Sequence, residues 1–385
     1  MPLRSAYIIA ARRTALGRVG GLHRHRRIED LTAPVITDAL KDAGLSPARV
    51  DHVLLGNTTS GGNPARLIAL AAGLPESTPA LTLDQQCASG FQAILAALRL
   101  IALNEAEVVV AGGAEALSMA PWRIAKPRSV HQVPRFIGLG GDDDGSGANL
   151  ESVEAGEQLA RRLNIGREKQ DDYSFRSHLA AGLARDARRF LKEIVPLKPV
   201  AEEGRDQSAV EPAVEALSGL APLRAAGTLT LGNTSLLHDG AAIAVVVSPE
   251  VWDELRRPSA LQLIAHATVG VSPAEEMEAP IIAFRRMLSR TKGSAAAEID
   301  VVELNEASAV QAIAFREAFG LSDGAFNPDG GAIARGNPLG AAGAVLVARL
   351  FTRMARIKSS DRARTGAAVL GATGGQGVAA LFEGV

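Results

Sequence analysis

The chain has 385 residues, 47% of them hydrophobic, and its 41 basic and 42 acidic side chains leave a net charge of −1. That length and apolar content predict a large buried core in two or three domains, and the charge balance argues against nucleic acid or an anionic membrane surface as partner. No apolar run approaches the roughly 18 residues that span a bilayer, and the single cysteine, Cys87, excludes an intrachain disulfide and suits a reducing cytoplasm.

In chain order, Tyr7 to Ala10 reads as a strand, with no apolar signal region ahead of it. The basic run Arg18 to Arg27, with His23, Arg24, His25, Arg26 and Arg27 together, reads as a solvated loop. Apolar spacing predicts a helix over Leu31 to Ala43, stopped by Gly44, and then a short buried strand from Val50 that ends at Asn57. Leu81-Thr82-Leu83 leads to Cys87 and to a helix carrying Phe91, Ile94, Leu95, Leu98 and Ile101. Val108-Val109-Val110 and Gly112-Gly113 follow.

From about Ser118 to Asp239 the chain turns polar. Too long for a structureless loop, the stretch predicts an inserted loop domain of about 120 residues that covers a substrate. A helical stretch is expected over Leu150 to Phe190, with Glu154, Glu157, Arg161 and Arg162 on its solvent face. Asp142-Asp143-Asp144 lacks calcium-loop spacing and reads as a solvated loop, so no metal is expected.

The remaining chain repeats the first series. A strand (Leu261 to Ala265) and a helical pattern (Pro280 to Leu288) precede Gly293 and the strand Ile299 to Asn305. Asn337 then leads through Gly343 into a helix, Ala344 to Phe351. Ala367 to Leu370 is followed by Gly371, Gly374 and Gly375. Both copies give an aliphatic-Asp opening, a short buried strand and an asparagine at its carboxyl end. Strands alternating with helices predict an α/β fold: two parallel-rich halves related by a pseudo-twofold axis, layered α/β/α/β/α. The expected division is 1–117 with 241–260, 118–240 as the inserted loop domain, and 261–385.

Asp84-Gln85-Gln86-Cys87-Ala88-Ser89-Gly90 sits where a buried strand turns into a helix. The positive end of a helix dipole lowers a thiol pKa, and N–H groups at the helix start can hold an oxyanion. A buried structural cysteine is the competing reading, and the local sequence does not decide between them. A cysteine hydrolase would need a histidine paired with Cys87. The seven histidines, at 23, 25, 52, 131, 178, 238 and 266, occupy no motif position that supplies one.

The cysteine segment, with Gly112-Gly113-Ala114-Glu115-Ala116-Leu117-Ser118 after it, resembles the thiolases. So do Asn305-Glu306-Ala307, Gly330-Gly331-Ala332-Ile333-Ala334 with Pro338-Leu339-Gly340, and Gly374-Gly375-Gln376-Gly377. Gly62-Asn63-Pro64-Ala65-Arg66 and Gly232-Asn233-Thr234-Ser235 with Asp239-Gly240-Ala241 fit as well. The resemblance implies a homodimer or homotetramer, with room for a partner protein, and a loop domain over a coenzyme A channel. A coenzyme A thioester is then the substrate, and no further cofactor is implied. By the same resemblance Cys87 matches the acyl-accepting nucleophile and Asn305 the residue that holds an oxyanion-hole water. Ser235, Gly371, Thr373 and Gly374 fall in substrate-binding segments.

Two departures bear on function. The family's Gly-His-Pro reads Gly336-Asn337-Pro338 here, and its acid/base cysteine reads Gly371. A neutral asparagine takes no proton from a thiol but can donate from its amide, so Asn337 is expected in an oxyanion hole, as a cap before Pro338, or both. His238 is a candidate displaced base, against its reading as a polar surface or loop residue. Ala221-Pro222 and Asn149-Leu150 also depart from the family's loop-domain pattern. Three functions follow: an acyltransferase with altered chemistry, a degenerate acyl-thioester-binding or partner subunit, and a conventional thiolase with a substitute base.

Overall fold

The computed structural model describes residues 4–136, 152–197, 205–208, 214–291, 295–357 and 362–385. The Asp142-Asp143-Asp144 triplet and Asn149-Leu150 lie outside them. The first half runs β1 (Tyr7–Arg13), β2 (Gly17–Arg18), α1 (Ile28–Ala43), β3 (His52–Gly56), α2 (Pro64–Ala71), β4 (Ala80–Leu83), α3 (Ser89–Ala102) and β5 (Val108–Glu115). Then come β6 (Ile124–Ala125), β7 (Arg135–Phe136), α4 (Ser152–Leu163), α5 (Arg167–Asp186) and α6 (Val214–Ser218). The chain re-enters the sheet as β8 (His238–Val247), followed by α7 (Pro249–Glu254) and β9 (Leu261–Gly270). The rest is α8 (Ala279–Leu288), β10 (Val301–Asn305), α9 (Ala309–Phe319), α10 (Ala332–Arg335), α11 (Ala342–Phe351), β11 (Thr365–Ala372) and β12 (Gln376–Gly384).

Hydrogen bonds order the strands β10-β11-β12-β9-β1-β8-β5-β3-β4. The two halves join where β1 meets β9, at Tyr7 against Gln262 and Ile8 against Leu261. The expected α/β layering is present, but the sheet is mixed. Parallel ladders are confined to β3–β4, β3–β5 and β10–β11. β12 returns antiparallel because only residues 373–375 join it to β11, and a parallel return needs a crossover of a dozen residues or more.

α3 and α11 form the central layer between the half-sheets, sharing one apolar cluster with β1, β5, β8, β11 and β12. All ten residues of α11 are buried, as expected for a helix that is apolar nearly all round. Close backbone approach there requires glycine: a Cβ at Gly90 would lie 2.5 Å from the Gly340 carbonyl oxygen. α1 and α2 cover one outer face and α8 and α9 the other. Among the described residues no helix is long and apolar enough to cross a membrane.

The expected long helix is two, α4 and α5, separated by Asn164 at φ 51° and Gly166. Glu157 is not on the solvent face. It is buried, and its carboxylate accepts from the Thr228 N–H at 2.7 Å and the Leu229 N–H at 2.8 Å. The basic run is likewise not wholly solvated: Gly17–Arg18 pairs with β8, and His23 is buried with Nε2 2.8 Å from the Ala15 carbonyl.

A buried charge network ties the middle segment to both halves. Arg13 of β1 donates to Glu193 at 2.8 Å and grips Asp206 with two nitrogens, at 2.6 and 3.0 Å. Arg349 of α11 donates to Glu193 and to Asp329, and Arg189 reaches Asp329 at 2.7 Å. The Phe190 ring lies against the guanidinium groups of Arg13, Arg335 and Arg349 at 4.7–5.9 Å.

Candidate active site

Cys87 stands between β4 and α3. Gln86 before it holds φ 52°, a left-handed backbone that costs a non-glycine residue roughly 1 kcal/mol, and such strain gathers at functional turns. Ser89 locks the turn: its hydroxyl accepts from the Gln85 N–H at 2.8 Å and donates to the Gln86 carbonyl at 2.5 Å. Of the N–H groups at the helix start, those of Ala88 and Ser89 donate to the carbonyls of Gln85 and Gln86 at 3.1 and 3.0 Å.

The thiol is not acidified. Burial pushes Cys87 up to about 12, and the negative charges of Glu115 and Glu276 push the same way, while its own N–H and that of Thr373 pull down less. Burial therefore outweighs the helix end on which the sequence reading relied. At pH 7 only about one sulfur in 10⁵ is ionised. Iodoacetamide alkylation at pH 7 is thus expected to be about 10³-fold slower than for an unhindered cysteine peptide. A rate matching the peptide would mean that the sulfur is far more acidic than its surroundings dictate.

The sulfur sits at the seam of the two halves. Gly374 (φ 88°) and Gly375 (φ 79°) make the left-handed turn between β11 and β12. Consecutive N–H groups in such a turn converge on one side and suit an anion. The Gly374 N–H donates to Glu276 Oε2 at 3.1 Å. Gln85 spans the seam, donating to Gln376 at 2.5 Å.

Asn305 ends β10, buried, beside Leu370 of β11 and one residue short of the Gly371 level. Ser235 links the asparagine motifs: its N–H donates to the Ala307 carbonyl at 3.1 Å, and Asn337 Nδ2 reaches its hydroxyl at 3.5 Å. Asn337 Oδ1 accepts from the Leu339 N–H at 3.1 Å, a side-chain turn one residue ahead of the cap position, which Pro338 holds instead, and this leaves Nδ2 as the donor. The turn that follows packs on the first turn of α3, where Gly340 meets Gly90.

His238 is no displaced base and no surface residue. It is fully buried, with Nδ1 2.8 Å from the Leu236 carbonyl and Nε2 2.7 Å from the Ser208 hydroxyl, so both nitrogens are engaged. Its ring packs on Gly336, where a Cβ would fall 2.3 Å away, and burial lowers its pKa. Ala221 and Pro222 are exposed.

Three side chains were not singled out from the sequence. Gln311 of α9 accepts from the Ala307 N–H at 2.9 Å, and its Nε2 would lie 3.3 Å from a Cβ at Gly371, with Pro280 at 3.2 Å. The room for a side chain at 371 is thus already tight. Glu115 is buried, and it accepts from Asn57, Thr58 and Thr59, holding the loop after β3; burial raises its pKa. Glu276 is 5% exposed, in the short 3-10 turn Pro273–Glu278 before α8. Flanked by Glu275 and Glu278, it carries no sequence signal of burial.

The profile of the thiolase N-terminal domain matches residues 6–250 and that of the C-terminal domain residues 258–384. The chain belongs to the thiolase family. It is 34% identical over 386 residues to a putative acetyl-CoA C-acetyltransferase of Staphylococcus epidermidis, covering 99% of each chain. It is 35% identical over 398 residues to an acetyl-CoA acetyltransferase of Cupriavidus necator, covering 98% of each. The crystal structure of human mitochondrial 3-ketoacyl-CoA thiolase in complex with CoA superposes with a TM-score of 0.90 at 30% identity, over 100% of this chain and 99% of that one.

Proposed function

We propose that this protein is an acyltransferase that forms an acyl thioester on Cys87 from an acyl-CoA-like donor. The observation that carries the reading is the strained turn that holds Cys87 between β4 and α3, tied to the β11–β12 hairpin through Gln85 and Gln376, in a chain matched end to end by thiolases. In this reading Asn305 and Asn337 donate to the developing oxyanion. Ser235, Gly371, Thr373 and Gly374 line the acyl thioester, and residues 118–240 cover it, between a first half of 1–117 with 241–260 and a second half of 261–385. The working unit is a homodimer or homotetramer in a reducing cytoplasm.

The chemistry is altered because Asn337 and Gly371 stand where the family has an imidazole and a thiol. General acid–base help is worth about 10²–10⁴-fold, so thiolysis of acetoacetyl-CoA is expected to be slower by that order than in a thiolase that keeps both groups. Intact mass after incubation with acetyl-CoA tests the reading. An adduct of one acetyl group, lost on Cys87 substitution, supports it.

A second reading, an acyl-thioester-binding subunit without turnover, is favoured by one observation: Cys87 is only 8% exposed and its proton is tightly held. Coenzyme A binding with no adduct supports that reading and refutes the first.

A further inference from the structure

We infer that Glu276 is the proton carrier for Cys87. The inference rests on the acyltransferase reading. It starts from the turn at 373–375, whose Gly374 N–H donates to the Glu276 carboxylate at 3.1 Å and whose flanking Gln376 accepts at 2.5 Å from Gln85, two residues before Cys87. The nucleophile's turn and the carboxylate are therefore held against one hairpin turn, and the charge of the carboxylate acts on the sulfur. The buried His238 is engaged elsewhere, through Leu236 and Ser208.

Glu276 has the character a proton carrier needs. A carboxylate offers about four acceptor positions. Its known partners are two N–H groups and the Ser152 hydroxyl, so capacity for one more proton is left. Burial raises its pKa against these hydrogen bonds, which moves it toward neutrality, where a carboxylate both takes and returns a proton. The thiol in turn needs a base, because its environment keeps it protonated.

The step balances without a further reagent. Glu276 takes the Cys87 S–H proton as the sulfur attacks the thioester carbonyl. The new Sγ–C bond forms, the bond from carbonyl carbon to coenzyme A sulfur breaks, and the departing thiolate takes the proton from Glu276. Acyl-CoA and the Cys87 thiol become acyl-Cys87 and coenzyme A thiol.

The test compares wild type, Glu276→Gln, Glu276→Asp and Glu275→Gln, the last at an exposed neighbour. Acetylation of Cys87 by acetyl-CoA is followed by intact mass in a quenched time course, with iodoacetamide alkylation of each protein in parallel. Glu276→Gln is expected to acetylate about 10²–10⁴-fold more slowly, while alkylation is unchanged or faster, because a negative charge beside the sulfur is gone. Glu276→Asp recovers part of the acetylation rate, and Glu275→Gln matches wild type. Acetylation of Glu276→Gln at the wild-type rate overturns the inference and leaves the acyltransferase reading intact. So does an equal slowing of acetylation and alkylation, which marks a disturbed pocket instead. Wild type that never acetylates refutes both.

Discussion

Cys87→Ser is expected to abolish the acetyl adduct and to lower acyl transfer on the order of 10⁴–10⁶-fold, the scale seen when a nucleophile is removed. Serine fits the same space, so the folded state should survive and its melting temperature should move little. The test is a continuous assay of coenzyme A release, with thermal unfolding of the same preparation as control. Retained turnover in Cys87→Ser would leave the sulfur a packing residue and end the acyl-enzyme reading. The effect is large because no other thiol exists in the chain to take over.

The second large effect concerns stability. Asp329 is buried and paired with Arg349, Arg189 and Arg353, whose charges hold its carboxyl down to about 2 against burial. Asp329→Ala strands guanidinium groups in a low-dielectric interior, which typically costs about 3–5 kcal/mol. The expected result is a clear drop in the urea midpoint followed by circular dichroism. Glu317→Ala, which breaks the exposed pair with Lys169, should change the unfolding free energy by no more than ~0.5 kcal/mol. The sign with pH follows from the depressed carboxyl. Its contribution is present above the unfolded value of roughly 3.9 and is lost as pH falls through about 2. Wild type should therefore lose stability below about pH 4, and Asp329→Ala should lose less over the same window.

How much of this was legible in the sequence depends on what each residue's role rests on. The repeat was legible because its landmarks are local: aliphatic runs, Gly44, and asparagines at strand ends each mark an element by themselves. Cys87, Asn305 and Asn337 stood out through the motifs around them. Glu157, His238 and Glu276 were misread or passed over for one shared reason. A polar residue's burial is decided by segments far along the chain: Thr228 and Leu229 for Glu157, Ser208 for His238, Gly374 for Glu276. The thiol failed in the same way. The helix start is local and visible, while the desolvation that overrides it comes from packing between two half-sheets. The mixed sheet was hidden because parallel and antiparallel buried strands share one apolar pattern, and only the length of the connection separates them.

β12 is the last strand in chain order, yet it lies inside the sheet, paired along its length with β11 on one side and β9 on the other. The turn that leads into it also supplies the amide at Glu276. The surroundings of the cysteine are therefore complete only once this closing strand has entered between β11 and β9, so the site depends on the most C-terminal pairing of the sheet.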